Sequence, residues 1–151
     1  GRYHNIFGPY GTWRGGREKA PAAICRKVAE AEDGGEIEVW GDGKAIRVFT
    51  HVDDMVRGIY ALMQSELEGP VNLGSEERVT VNDLVNTVIG VSGKRIQVKH
   101  VSGPVGVHSR NFSKALAHSL GWRAEIPLPE GIARTYPWIE EQVRTSKARV
   151  A

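Results

Sequence analysis

Short segments with the composition of strands alternate with helical segments along the whole chain, and none of the strand-like segments exceeds six residues. They lie at 2–7, 37–40, 46–50, 71–73 and 96–101. Segments in which apolar residues recur with helical spacing lie at 21–31, 54–63, 81–92, 114–120 and from about 129 onward. This alternation predicts a mixed α/β fold. Because sheets of a few very short strands need a larger surface to cover them, we expect a single, fragment-like domain over residues 1–151 that begins in the middle of a fold.

Local patterns in three of these segments give specific expectations. Residues 37–50 have the pattern of a β-hairpin whose exposed tip is Gly41-Asp42-Gly43. Asp53 is expected to cap the next helix, and Thr80 and Asp83 have the spacing of a capping box. Apolar residues with helical spacing after Asp53 predict a core-facing stripe, which comprises Val56, Ile59, Tyr60 and Met63.

Charge and composition exclude several classes of protein. The 20 basic and 18 acidic side chains give a formal net charge of only +2, so no global field favours nucleic acid or an anionic membrane. No apolar run approaches the roughly 20 residues of a membrane span. The single cysteine, Cys25, fits a reducing compartment, and we expect a cytoplasmic protein. The 5 histidines have no ligand-like spacing, so no metal site is expected.

The densest local charge follows a glycine-rich loop that starts at Gly8. It comprises Arg14, Arg17, Glu18, Lys19, Arg26 and Lys27. Arginines bind phosphate oxygens through a fixed fork, and a lysine adds a point charge or an acid/base group. The alternative is a solvated, basic helix end with no ligand.

Two isolated arginines form a second candidate. Arg47 lies on the predicted hairpin and Arg110 follows a Gly-Pro loop, so the two side chains would clamp a diphosphate from different loops. An ion pair of Arg47 with Asp53 or Asp54 explains the first arginine equally well. Of the 4 tryptophans, only Trp13 lies in a loop with other candidate residues.

The chain resembles the extended short-chain dehydrogenase/reductases that act on nucleotide sugars, the NAD-dependent epimerase/dehydratase family. Residues 2–9, Arg-Tyr-His-Asn-Ile-Phe-Gly-Pro, resemble the strand and turn after the catalytic helix of that family. Residues 11–23, Gly-Thr-Trp-Arg-Gly-Gly-Arg-Glu-Lys-Ala-Pro-Ala-Ala, are similar to a loop of the members that epimerise GDP-mannose at C3 and C5. The likeness continues through Trp-Gly-Asp-Gly at 40–43, Pro-Val-Asn-Leu-Gly-Ser at 70–75, Arg110-Asn111 and Leu-Gly-Trp at 120–122.

The resemblance implies a fold and a set of site residues. The fold would be the C-terminal substrate-binding lobe of the family, without its N-terminal Rossmann sheet. The residues that would line the sugar and nucleotide site are Asn5, Glu18, Lys19, Ala20, Lys27, Ala45, Ile46, Arg47 and Arg110. Lys19 would be the acid/base group, opposite a cysteine that the family carries upstream. Arg14, Ala45-Ile46 and Phe112-Ser113 depart from the residues common in the family.

The resemblance also implies a cofactor and partners. The family uses NAD, but this sequence has neither the glycine-rich dinucleotide fingerprint nor the Tyr-x-x-x-Lys pair, so no cofactor-binding residue is expected here. We expect the nucleotide-sugar-binding part of an epimerase that is inactive without an NAD-binding half. The expected partners are a GDP-mannose-like nucleotide sugar and either that half or a second copy of the chain. The alternative is a non-catalytic binding or assembly module derived from the same lobe.

Overall fold

The computed structural model of the chain describes residues 1–103 and 112–148. Within these ranges the helices are α1 (Ala20–Glu30), α2 (Val52–Met63), α3 (Val81–Ser92), α4 (Ala115–Ser119) and α5 (Leu128–Ala148). The strands are β1 (Arg2–Tyr3), β2 (Ile6–Phe7), β3 (Glu36–Trp40), β4 (Ile46–Arg47), β5 (Thr50–His51), β6 (Asn72–Leu73), β7 (Val79–Thr80) and β8 (Gln97–Val101). The predicted mixed α/β fold with short strands is confirmed.

The strands of the described ranges form four separate two-stranded ladders. Three are parallel, namely β1 with β6, β2 with β5, and β3 with β8. The fourth, β4 with β7, is antiparallel. Each ladder joins strands that are distant in sequence, so the packing of helices between them, and not local turns, holds the strands in place.

The predicted hairpin at 37–50 is wrong. β3 pairs with β8 and β4 pairs with β7, so the two arms of the expected hairpin diverge. The turn between them is held by Asn82 at the start of α3, whose backbone N–H donates to the Gly43 carbonyl at 3.0 Å. The Asn82 side-chain amide also donates to the Asp42 carbonyl at 3.1 Å. Gly43 is buried by these contacts and has a positive φ of 69°, which glycine adopts readily.

The main hydrophobic core lies between α1, α3 and α5. The prediction of α1 is confirmed: Pro21 lies in its first turn, where a missing N–H is tolerated, and the helix ends before an extended Ala31. α5 passes through Pro137 without ending there. The buried side chains that these helices contribute are Ile24, Cys25, Val28, Leu84, Val85, Val88, Leu128, Ile132, Tyr136, Ile139 and Val143.

α2 presents a different face to the interior from the one expected. Val56, Tyr60 and Met63 are 59%, 64% and 74% exposed, so the predicted core-facing stripe is wrong for these three residues. Ile59 alone of that stripe packs against a second core of Met55, Val71, Leu73, Ala117 and Trp122. The inward positions of α2 are Asp54, Met55 and Gly58.

Polar contacts explain this rotation of α2. The buried Asp54 carboxylate accepts the backbone N–H groups of Glu125 at 3.1 Å and Ile126 at 2.9 Å. The Trp122 ring N–H donates to the Asp54 carbonyl at 3.1 Å, and the ring lies directly against Gly58. The two backbone amides and the Arg57 guanidinium satisfy a carboxylate that would be costly to bury alone. The face that carries Asp54 therefore turns inward.

Helix caps give one correction and one confirmation. His51, not Asp53, caps α2, because the His51 ring nitrogen Nδ1 accepts the Asp53 N–H at 3.3 Å. The capping box at α3 is confirmed: Thr80 Oγ1 accepts the Asp83 N–H at 3.0 Å, and the Asp83 carboxylate accepts the Thr80 N–H at 2.8 Å. Among the described residues, no helix is long and apolar enough to cross a membrane.

Candidate functional site

A cavity of about 470 Å³ lies beside the N-terminal half of α1. The end of β3, the β4 strand and the glycine-rich loop close its other sides. Its lining includes seven residues predicted from the sequence, namely Asn5, Glu18, Lys19, Ala20, Lys27, Ala45 and Arg47. Residues from four segments that lie up to 42 positions apart in sequence thus converge on one cavity, while Arg110 lies outside the described residues.

The glycine-rich loop before α1 has an irregular backbone. Gly15 and Gly16 have positive φ angles of 96° and 85°, which glycine adopts without strain. Tyr10 also has a positive φ, 65°, and its ring contacts the Trp138 ring with centroids 5.4 Å apart. Trp13 packs against the main core, and the Arg14 guanidinium lies 4.8 Å from the centre of the Trp13 ring. The loop is therefore packed onto the protein at Tyr10 and Trp13, both of which precede Gly15 and Gly16.

Glu18 lines the cavity but is already bonded within the protein. One carboxylate oxygen accepts the Gly16 N–H at 2.7 Å, and the other accepts Arg26 at 3.2 Å. The pKa of Glu18 is lowered, first by a hydrogen bond from its own backbone amide and then by Gly16 and Arg26, while burial opposes the shift. For Glu18 and Arg26, the predicted charge cluster is thus an internal ion pair.

Two lysines bring positive charge to the cavity wall. Lys19 is the N-cap residue of α1, and its carbonyl accepts the Ala23 N–H at 3.0 Å. Its ammonium group has no hydrogen bond or ion pair within residues 1–103 and 112–148, and its side chain is exposed. Lys27 lies further along α1 and is half-buried. Its ammonium donates to the Glu38 carbonyl at 2.6 Å.

Asn5 and Arg47 also line this cavity. Asn5 has a positive φ of 38°, which asparagine tolerates better than most residues, and its side-chain amide donates to the Val48 carbonyl at 2.9 Å. Arg47 donates to the Ile46 carbonyl at 2.8 Å. Asp53 and Asp54 were the candidate ion-pair partners of Arg47. In the structure Asp53 pairs with Arg134 and Asp54 pairs with Arg57.

A second cavity, of about 690 Å³, adjoins the first and shares Asn5 and Arg47 with it. Ile46 lines this cavity instead of the first. Its other lining residues include His4 and Phe112, whose rings lie 4.3 Å apart, and Lys114. Burial lowers the pKa of His4, and the nearby charge of Lys114 lowers it further.

Sequence reasoning missed two aromatic features of the site. Trp40, at the end of β3, lines the first cavity and is 57% exposed, which is high for a tryptophan. The signal was present, because Trp40 belongs to the Trp-Gly-Asp-Gly run at 40–43, but the strand pattern alone favoured a packing role. The contact of His4 with Phe112 joins residues 108 positions apart and has no local signal.

The chain thus combines an α/β fold, with three parallel ladders and one antiparallel ladder, with a cavity lined by lysine, arginine and carboxylate groups at the start of a helix. A family model described as "NAD dependent epimerase/dehydratase family" matches residues 1–74. The predicted resemblance to this family is confirmed for this part of the chain.

Comparison with known proteins gives the same assignment over almost the whole chain. GDP-mannose 3,5-epimerase of Arabidopsis thaliana is 45% identical over 150 residues, which cover 99% of this chain and 39% of that protein. Probable GDP-L-fucose synthase 1 of Oryza sativa subsp. japonica is 33% identical, over 95% of this chain and 45% of that protein. The chain therefore spans less than half of the length of the curated relatives that it matches.

A solved structure supports the fold directly. The crystal structure of UDP-glucose 4-epimerase with UDP-glucose from Thermotoga maritima matches with a TM-score of 0.84 and 25% sequence identity. The match covers 94% of this chain and 45% of that chain. The predicted fold class, a lobe of the extended short-chain dehydrogenase fold, is confirmed.

Proposed function

We propose that residues 1–151 form the substrate-binding domain of an NAD-dependent nucleotide-sugar epimerase, and that its ligand is a GDP-hexose such as GDP-mannose. One observation carries the proposal: seven of the nine site residues taken from the resemblance line the same 470 Å³ cavity. A cavity of this size, with a few convergent polar groups, is typical of a small-molecule site. The 45% identity to a GDP-mannose 3,5-epimerase supports guanine and mannose over other bases and sugars.

In this proposal Lys19 transfers a proton at the sugar carbon that is inverted. Its ammonium group lies at the cavity wall and is not engaged by any described residue, so it is available to a ligand. Inversion requires a second group on the opposite face of the carbon. Cys25 does not serve, because it is fully buried and burial raises its pKa to about 12. The second group would therefore come from a segment other than α1.

The nucleotide end of the ligand would be held by Lys27, Arg47 and Arg110. Guanidinium and ammonium groups form strong, charge-assisted hydrogen bonds to phosphate oxygens. To reach a phosphate, Lys27 would exchange its bond to the Glu38 carbonyl for a bond to a charged acceptor. The exposed ring of Trp40 offers an apolar face to the base in the same cavity.

The residues of this chain do not fit an NAD site. A glycine-rich loop does connect β2 to α1, but its glycines, at positions 8, 11, 15 and 16, do not have the Gly-x-Gly-x-x-Gly spacing of the turn that holds a dinucleotide pyrophosphate. We therefore derive no catalytic step through NAD here. The proposal assigns the cofactor to polypeptide other than residues 1–151, and it assigns to this chain the binding of substrate and the movement of protons, without turnover on its own.

Titration with nucleotide ligands tests the proposal. Saturation-transfer NMR with GDP-mannose should give weak, saturable binding, and UDP-glucose should bind less well. Replacing Lys27 by Met should weaken GDP-mannose binding by about tenfold, because one charge-assisted hydrogen bond to phosphate is lost. The matched control is Lys99→Met, since Lys99 lies on β8 in an exposed ion pair with Glu36.

Two results would contradict the proposal. The first is an equal loss of affinity in the Lys27 and Lys99 variants, because of these two lysines Lys27 lines the cavity and Lys99 does not. The second is tight binding of NAD to the unsubstituted chain, measured by calorimetry. Both would show that this cavity is not a nucleotide-sugar site.

A further inference from the structure

The glycine-rich loop, residues 8–19, carries Lys19 at its last position, so its conformation sets where that ammonium group lies. The loop is attached to the rest of the protein at Tyr10, which contacts Trp138, and at Trp13, which packs in the main core. Between Trp13 and α1, Gly15 and Gly16 allow the chain to move freely unless another contact restrains it. The bond from Gly16 to Glu18 is that contact.

The Glu18 carboxylate joins the stretch around Gly16 to α1. Its side chain is 9% exposed, and its two oxygens are used in different directions, one by the Gly16 N–H and the other by Arg26. Arg26 lies two turns into α1 and is therefore fixed by the helix. Contacts therefore run from Arg26 in α1, through the Glu18 carboxylate, to the Gly16 amide of the loop. Glu18 is the residue immediately before Lys19.

We propose that Arg26 is a positioning residue for Lys19: through Glu18 it holds the end of the glycine-rich loop against α1, so that the Lys19 ammonium lies at the cavity wall. The inference rests on the proposed function for the importance of Lys19. It also gives Glu18 a structural role, because neither of its oxygens is left without a partner from the protein.

The Arg26–Glu18 pair differs from an ordinary surface pair. Arg26 also bonds Glu30 at 2.9 Å, but Glu30 is 44% exposed and lies four residues along the same helix. Such exposed pairs contribute little. The Glu18 side chain is only 9% exposed and that of Arg26 23%, so water competes less for this pair than for the Glu30 pair. The Arg26–Glu30 pair is thus a matched control for the Arg26–Glu18 pair, because both involve the same guanidinium.

Hydrogen exchange at the Gly16 amide tests the contact directly, without any ligand. Arg26→Met should speed Gly16 exchange by about tenfold, because the acceptor carboxylate is no longer held in place. Arg26→Lys should restore part of the protection, and Glu30→Gln should leave it unchanged. If Arg26→Met does not fold by circular dichroism, Glu18→Gln gives the same test. Unchanged Gly16 exchange, or an equal effect of Glu30→Gln, would overturn the proposal.

Labelling of Lys19 tests the consequence for the site. The full chain is treated with pyridoxal 5′-phosphate and borohydride, with and without GDP-mannose, and modification at Lys19 is measured by mass spectrometry. GDP-mannose should protect Lys19 in the unsubstituted chain and in Glu30→Gln, and protection should fall several-fold in Arg26→Met and recover in part in Arg26→Lys. Protection that persists in Arg26→Met would overturn the positioning role. Absence of protection in the unsubstituted chain would instead count against the proposed function, and Gly16 exchange would still decide the role of Arg26.

Discussion

Lys94 is expected to be one of the most important single cations for the stability of this protein. It follows the left-handed Gly93 that ends α3, and its half-buried ammonium donates to three carbonyls at the end of α1. The distances are 2.9 Å to Val28, 3.1 Å to Ala29 and 2.8 Å to Ala31. The last carbonyls of a helix have no partner within it and carry the negative end of its dipole, so a cation here satisfies both.

The cost of Lys94→Met follows from these contacts. The substitution keeps the apolar stem and removes only the ammonium. A partly buried cation at a helix C-terminus contributes up to about 2 kcal/mol, and water recovers only part of the lost bonding at the half-buried carbonyls. We expect a loss of about 2 kcal/mol, which for a chain of this size lowers the Tm by roughly 4–8 °C.

The control is a second lysine at the same helix end. Lys147 of α5 donates to the Glu30 carbonyl at 3.3 Å, in an exposed contact. Lys147→Met should therefore cost less than about 0.5 kcal/mol. Urea unfolding of both variants, followed by circular dichroism, measures the difference through the midpoint at constant slope. A loss below about 0.5 kcal/mol for Lys94→Met, or equal losses for the two variants, would refute the reasoning.

Three further predictions concern separate parts of the molecule. Gly58→Ala should lower stability by about 1–2 kcal/mol in urea unfolding although alanine favours helices, because the new Cβ would lie 2.7 Å from the Trp122 ring; an increase in stability would contradict this. Bonds from Thr80 hold the pKa of Asp83 below its ordinary 3.8, so the capping box stabilises the fold fully above that pH and is lost as pH falls. Asp83→Asn should therefore flatten the acid dependence of the urea midpoint. Cys25, with a pKa of about 12, should react with a thiol reagent at pH 8 only after unfolding, and rapid labelling of the folded protein would disprove its burial.

The helices were predictable from sequence because their signals are local. Pro21 near the start of α1 and the Thr80–Asp83 capping box act within one helical turn, and both predictions are confirmed. Strand pairing was not predictable in the same way. Ladders two residues long contain no alternation to read, and the partner of β3 lies 61 residues away at its first register position. The Gly-Asp-Gly turn indicated a hairpin. In the structure Asn82, at the start of α3, bonds to this turn, and the strands on its two sides pair with β8 and β7.

The site shows the same division between local and distant information. The resemblance supplied the candidate site residues, and the structure brings seven of them to one cavity. It could not supply their internal partners. The pairing of Glu18 with Arg26 and the bond from Asn5 to Val48 depend on how the loop and β4 pack, and the second of these joins residues 43 positions apart. Glu18 thus has two contacts within the protein, and its role toward a substrate stays a prediction.

α2 shows most clearly why an apolar period does not determine what a helix buries. Val56, Tyr60 and Met63 do form an apolar face, as the spacing indicates, yet this face is exposed in the described part of the chain. The opposite choice was fixed by Asp54, which bonds two backbone amides, and by Gly58, which admits an indole ring. Asp54 reaches the amides of Glu125 and Ile126 with its own face of α2 turned toward the core, and a buried carboxylate is tolerated because such donors satisfy it. Hydrophobic spacing therefore predicted that α2 has two faces, and the polar partners of Asp54 decided which of them faces the core.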